Sequence, residues 1–407
     1  MLDVAFARSH FPAFSDPSLD GWAFFENAGG SYTCGQVIER LTDFYTRCKV
    51  QPYGPYPAAQ KGGSMMDESY RRLAEYLNVD STEVNFGPST TQNTYVLAKA
   101  FREIFSEGDE IIVTNQDHEA NSGAWRRLEQ VGITIREWSV DRDTGMLDIN
   151  DLDALINDKT RLLAFPHCSN IVAHVNPVAS ICAKARDAGV TTVVDGVSYA
   201  GHGLPDVDAL GADIYLFSLY KTYGPHQGLM VIREPTLDKL NNQSHFFNAD
   251  YPQKKLVPAG PDHAQIGAAA GITEYFDLVH AHHFPDGEVN AAKRGAAVHD
   301  LFQEHEKQLL QPVLDYLDAR NNVRVLGPVD AAVRAPTVAV EVQGDAESIA
   351  RSLADHKIMC WSGNFYAYRL IDAMGLEPEN GALRLSFVHY TTKKEVDQLL
   401  NALDSVL

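Results

Sequence analysis

TTVVDGVSYAGHGLPDVDALGADIYLFSLYKTYGPHQG, residues 191–228, holds two short apolar runs that read as buried strands: TTVV running into Asp195 and IYLFS running into Lys221. In an open, mainly parallel sheet the ligand crevice lies at the carboxyl ends of the strands, so both side chains are expected to project into one pocket. A lysine there can form a Schiff base, and a buried aspartate can keep a pyridinium nitrogen protonated. The pairing points to pyridoxal 5'-phosphate (PLP). Singly, each residue has an ordinary reading, Asp195-Gly196 as a strand-ending turn and Lys221 as an exposed loop lysine. Ser218 three residues before the lysine and the Gly224-Pro225 turn after it favour the functional one.

Outward from this stretch the same texture continues. Strand-like EIIVT (110–114), ITIREWSV (133–140), RLLAFPH (161–167), TTVVD (191–195), IYLFS (214–218) and LMVIR (229–233) are separated by helix-like segments. Such alternation predicts an α/β fold with a mainly parallel sheet covered on both faces. Upstream, residues 1–20 read as an arm, because Phe11-Pro12 and Asp16-Pro17 break regular structure. A helical pattern runs from about 36 to 79, interrupted by QPYGPYP at 51–57. A large domain is expected over 21–284 and a smaller α+β domain over 285–407. The latter has a long helical stretch, then strands VRVLG, TVAVEV and KIMCW, then a closing helix capped by Thr392.

Composition sets the class. The 407 residues suit two domains, and 45% apolar with 22% charged residues is ordinary for a globular enzyme. A formal charge of −20 opposes nucleic acid and anionic membranes, so any anionic cofactor must be held by local donors. The five cysteines, Cys34, Cys48, Cys168, Cys182 and Cys360, have no metal-ligand spacing and fit free thiols in a reducing cytoplasm. The start MLDVAFARSHFPAF lacks signal-peptide features, and no run is long and apolar enough to span a bilayer; a cytoplasmic protein is expected. His280, His282 and His283 in VHAHHFP do not converge on a helix, so no metal site is expected.

Three further segments supply candidate site residues. GPSTTQNTYVLAKAF (87–101) offers backbone NH groups and hydroxyls at a helix start, making Ser89, Thr90, Thr91 and Ser218 the leading phosphate donors; STT before a helix is also an ordinary cap. His118 in NQDHEANSGAW can lie flat on a pyridine ring, or be a satisfied structural histidine. Asn170, after RLLAFPH, is in reach of a ring hydroxyl oxygen, or sits in a polar turn. Arg384, in the small domain, can grip a carboxylate through two parallel hydrogen bonds; its bland alternative is a surface salt bridge.

With VVDG at Asp195, FSLYKTYGP at Lys221, DHEAN at His118, CSNIVAHVNP at Asn170 and GALRLSFVHYTT at Arg384, the chain resembles class V aminotransferase-fold proteins of the cysteine desulfurase and selenocysteine lyase branch. The resemblance runs from FFENAGG to the last helix. It implies a fold-type I, seven-stranded-type large domain in a homodimer, with the cofactor near the subunit interface. It further implies Lys221 as the Schiff-base lysine, Asp195 on the ring nitrogen, His118 stacked on the ring and Arg384 on the substrate α-carboxylate. Asn27 of FFENAGG, Asn364 and Tyr366 join the expected substrate contacts.

The chain also departs from that pattern. Where desulfurases carry a stretch resembling Arg-Thr-Gly-His-His-Cys-Ala, this sequence has Trp361-Ser362-Gly363-Asn364-Phe365-Tyr366-Ala367. A tyrosine cannot accept sulfur as a persulfide, which needs a polarizable thiolate; Cys360 reads as core. Tyr220 replaces the histidine usual before the lysine, and Ser198 replaces a glutamine, although both hydroxyls can still reach phosphate or ring oxygen. Pro261 falls where a partner's phosphate-binding threonine is usual and offers neither hydroxyl nor NH, so His263 is expected to take that contact. The expectation is a PLP enzyme acting on a small α-amino acid, with lyase-type cleavage at Cβ. An aminotransferase or epimerase is the closest rival, and a non-catalytic relative using the fold as a binding module is a third reading.

Overall fold

A computed structural model describes all residues except 286 and 288. Its strands are β1 Ala23–Phe24, β2 Val84–Gly87, β3 Glu110–Thr114, β4 Thr134–Trp138, β5 Thr160–Pro166, β6 Thr191–Asp195, β7 Ile214–Ser218, β8 Gly228–Ile232, β9 Val323–Val325, β10 Thr337–Val342, β11 Ile358–Met359, β12 Trp361–Gly363 and β13 Ala382–Ser386. Seven form one sheet in the order β2-β8-β7-β6-β5-β3-β4, in which β8 alone runs against its neighbours. The fold is therefore α/β with a large, mostly parallel sheet. Strands β7 and β8 are buried along their whole length, which is why their sequences are continuous apolar runs rather than alternating ones. Strand β2, with Asn85 in a four-residue span, carries no such run and was not anticipated.

A second, antiparallel sheet orders β12-β13-β10-β9 and packs beneath the helices Ala346–Asp355 and Lys393–Val406. The last helix is capped by Thr392 in a reciprocal capping box with Glu395, as expected. KIMCW, expected as one strand, is two: β11 pairs in parallel with β1, and β12 pairs with β13. Ala23 and Phe25 thus belong to the smaller core, although residues 21–284 were expected in the large domain. The helix Ala291–Asp318, expected in the small domain, feeds both cores, with Val298 and Phe302 in the first and Leu309 to Leu317 in the second.

Residues 1–20 differ from an irregular arm. Asp3 caps a helix over Val4–Ser9, and Pro12 and Pro17 open short 3-10 turns, positions where a missing NH costs nothing. The segment docks firmly: Phe11 is buried, Arg8 pairs with Glu395 and covers the Phe14 ring, and Asp3 meets His282 and His283. The same tolerance lets Pro57 start the helix Pro57–Leu77. Among the described residues no helix is long and apolar enough to cross a membrane.

Candidate active site

Register brings the site together. Asp195 pairs with Pro166 on one side and Leu216 on the other, so β5, β6 and β7 end nearly flush and deliver Asn170, Asp195 and Lys221 to one edge. There a cavity of about 420 Å³ is lined by Asp195, Ser198, Ser218, Tyr220 and Lys221, by Ser89, Thr90 and Thr91, and by His118, Asn170 and Tyr366. That volume suits a cofactor-sized ligand.

Ser89 caps the helix Thr90–Arg102, its Oγ accepting from the Gln92 amide at 3.2 Å, and the Thr90 and Ser218 hydroxyls lie 2.8 Å apart. Strand β8 starts against this helix end so closely that a Cβ on Gly228 would stand 2.4 Å from backbone atoms of Ser89 and Thr90. A helix N-terminus ringed by hydroxyls is a site for a phosphate.

Charge is arranged around it by burial. Asp195 accepts from the Val197 amide at 2.8 Å through one oxygen, the other accepting nothing among the described residues; burial pushes its pKa up to about 6. Lys221 has no hydrogen-bond partner for Nζ among the described residues, and burial, aided by Arg384, brings it down to about 8. His118 takes the Ala120 amide on Nδ1 at 3.0 Å, which puts its proton on Nε2; burial, then Lys221 and Arg384, lower it to about 3, so the ring is neutral. An amine without a partner, a carboxylate with a free oxygen and a hydroxyl-lined helix end match the aldehyde, ring nitrogen and phosphate of PLP. The orphaned buried Oδ1 of Asn170 fits the same reading.

Three expected substrate contacts do not line the cavity. Asn27 spends its amide on the Phe24 and Ser386 carbonyls and its oxygen on the Tyr390 hydroxyl. Asn364 bonds Pro378 O and the Tyr366 amide, shaping its own loop. Arg384 is buried, paired with Glu26 at 2.9 Å and covered by the Phe365 ring at 3.7 Å. Tyr366 does reach the cavity, from a loop in which Phe365 and Tyr366 both take left-handed backbone (φ 50° and 59°). That loop is pinned by the Asn170 amide to Phe365 O and the Glu119 amide to Tyr366 O, at 3.0 and 2.7 Å.

Other lining residues escaped the sequence reading. Cys168 faces the cavity, but burial pushes its thiol up to about 12 and it bonds to Ala173 O. Cys360 is likewise held as a thiol, raised to about 12 by burial. His226 stacks on Tyr220 with ring centres 4.7 Å apart, and lines both this cavity and its neighbour, where Pro261 lies. His263, expected to replace the lost contact at Pro261, lines neither. The signal for His226 was its place one residue after Gly224-Pro225, at the mouth of an inward-running strand.

Comparisons with known proteins agree with this geometry. The family model for class V aminotransferases matches residues 23–246 and 297–399. The chain is 34% identical to the aminotransferase-like protein FGM3 of Gibberella zeae, covering 98% of this chain and 97% of that one. It is 28% identical to a cysteine desulfurase of Serratia proteamaculans, over 98% and 97% respectively. It is 27% identical to the cysteine desulfurase-like protein ustD of Aspergillus flavus, over 100% and 91%. In fold it resembles the cysteine desulfurase CsdA of Escherichia coli, with a TM-score of 0.83 at 24% identity over 100% of this chain and 98% of that one. A strand-end lysine and aspartate facing a phosphate cradle, on a chain matched along nearly its whole length, make this protein a member of the class V aminotransferase family, the PLP-dependent enzymes that include the cysteine desulfurase-like proteins.

Proposed function

We propose that the protein acts on a small α-amino acid and cleaves a bond at its Cβ, without passing sulfur to a cysteine of its own. The observation that carries this reading is the pairing of Lys221 and Asp195 on adjacent strand ends inside one cavity. When bound, PLP supplies an electron sink for charge released at Cα. Asp195 holds a proton at the ring nitrogen, a buried carboxylate opposite a cation. Lys221 anchors the aldehyde carbon and, once displaced by the substrate amine, carries the Cα proton; its lowered pKa keeps a usable fraction neutral near pH 8. His118 lies against the ring as a neutral imidazole, and Asn170 faces the ring hydroxyl. Ser89, Thr90, Thr91, Ser198, Ser218 and Tyr220 provide donors for the phosphate, and Arg384 takes the substrate α-carboxylate.

The cleavage reading is supported by resemblance to desulfurase-like proteins together with the absence of a cysteine in residues 361–367 and the high thiol pKa of Cys168 and Cys360. The working unit is a homodimer; Tyr53, Phe247 and Tyr251, all exposed around one 810 Å³ hollow, supply an apolar face for a second copy. To test the reaction, candidate amino acids are supplied singly and products are identified. Sulfide, sulfite, selenide or CO2 released with catalytic turnover supports cleavage at Cβ. A keto acid formed once per site, with accumulation of pyridoxamine phosphate and rescue by a second keto acid, rejects it in favour of an aminotransferase.

A further inference from the structure

Arg384 stands among groups that already occupy it. Nη2 donates to Glu26 Oε1 at 2.9 Å, Nη1 to Asn170 O at 3.3 Å, and Phe365 covers the guanidinium face. Three buried polar atoms around this one cation have no partner: Arg384 Nε, Glu26 Oε2 and Asn170 Oδ1. The salt bridge is thus made through one oxygen and one nitrogen, although a carboxylate and a guanidinium can bond through two of each. A donor is left open beside a cation whose charge is already half answered.

We propose that Glu26 is a positioning residue that shares Arg384 with the substrate carboxylate and sets how tightly that carboxylate is held. This rests on the reading of Arg384 as the carboxylate ligand. A carboxylate that displaces Phe365 and bonds Nε finds the guanidinium fixed in place by Glu26 at Nη2, and also meets the negative charge of Glu26 across the same cation. Close charges of like sign in a buried setting weaken binding, so Glu26 trades grip for orientation and release. Gly29 follows from the same packing: a Cβ there would stand 2.5 Å from Glu26 Oε1. The charge of Glu26 also supports the protonated form of Lys221, so it is felt at the anchoring amine.

The test uses the PLP-loaded wild type and the variants Glu26→Gln and Glu26→Asp. Each is titrated with propionate, read as a change in the cofactor's visible band, and the pH midpoint of that band is recorded. In Glu26→Gln, propionate is expected to bind about tenfold tighter, the effect of removing one modest charge interaction. The band's midpoint should move to lower pH, and with a turned-over amino acid KM should fall while kcat does not rise. Glu26→Asp is expected to restore wild-type values. A normal band with propionate affinity in Glu26→Gln unchanged or weakened overturns the proposal and leaves the role of Lys221 standing. Absence of any band in the wild type overturns both.

Discussion

Lys221 becomes reactive because it is desolvated and near Arg384, which together hold its pKa at about 8. The neutral amine is the nucleophile, so the rate at which PLP-free protein takes up the cofactor should climb with pH and level off above about 8, as followed by stopped-flow absorbance. Lys221→Arg keeps the charge but cannot anchor the aldehyde or carry the proton, and should cost at least about 10²–10⁴ in turnover. Retention of wild-type turnover would contradict the assignment. At this scale the sequence told most about residues that end strands, because strand direction fixes where they point. Asp195, Ser218 and Lys221 share a cavity for that reason. Arg384 also lies on a strand, yet its surroundings were hidden, since Glu26 sits 358 positions away and nothing in the local pattern announces the pair. Asn27 and Asn364 look free in the sequence and are bound up by backbone carbonyls in the fold.

Among the elements, the contact between β8 and the helix Thr90–Arg102 is the tightest that the site depends on. Gly228→Ala would force a methyl group against the Ser89–Thr90 backbone, with an overpacking cost of about 1–3 kcal/mol and a displaced phosphate cradle. Urea denaturation should show the lost stability, and equilibrium PLP titration a weaker affinity; an unchanged PLP affinity would mean that this helix end does not hold the phosphate. Strands β3, β6 and β7 matched their expected spans because both faces are covered and every residue is apolar. Strand β2 was missed because it is short and polar at Asn85. The break in KIMCW was invisible because it depends on which partner each half finds, β1 or β13. Prolines misled the reading at residues 12 and 17, where they begin turns rather than prevent them.

For the whole molecule, buried neutral groups shape the response to acid. His167 is buried behind Asp195, bonded to the Tyr215 hydroxyl at 2.8 Å and stacked on Tyr199, and burial lowers its pKa to about 3. The unfolded ring titrates near 6.5, so its contribution is complete above that pH and is lost as pH falls toward 3. Relative to His167→Gln, the wild type should lose about 1.4 kcal/mol per pH unit below 6.5, read from paired denaturation curves. Taking the difference cancels the opposing carboxylates Asp117 and Asp195, whose pKa values are raised. Parallel curves for the two proteins would show that His167 is not held neutral. At this scale the α/β class and the mostly parallel sheet were legible from alternation alone. The docking of the first twenty residues and the double role of the helix Ala291–Asp318 were not, because both depend on surfaces that exist only after the two sheets form.

The most direct measurement reduces the PLP-loaded protein with borohydride and maps the modified peptide by mass spectrometry. A pyridoxyl group on Lys221, and on no other lysine, is the predicted result. Visible absorption from bound PLP with residue 221 left unmodified would contradict it.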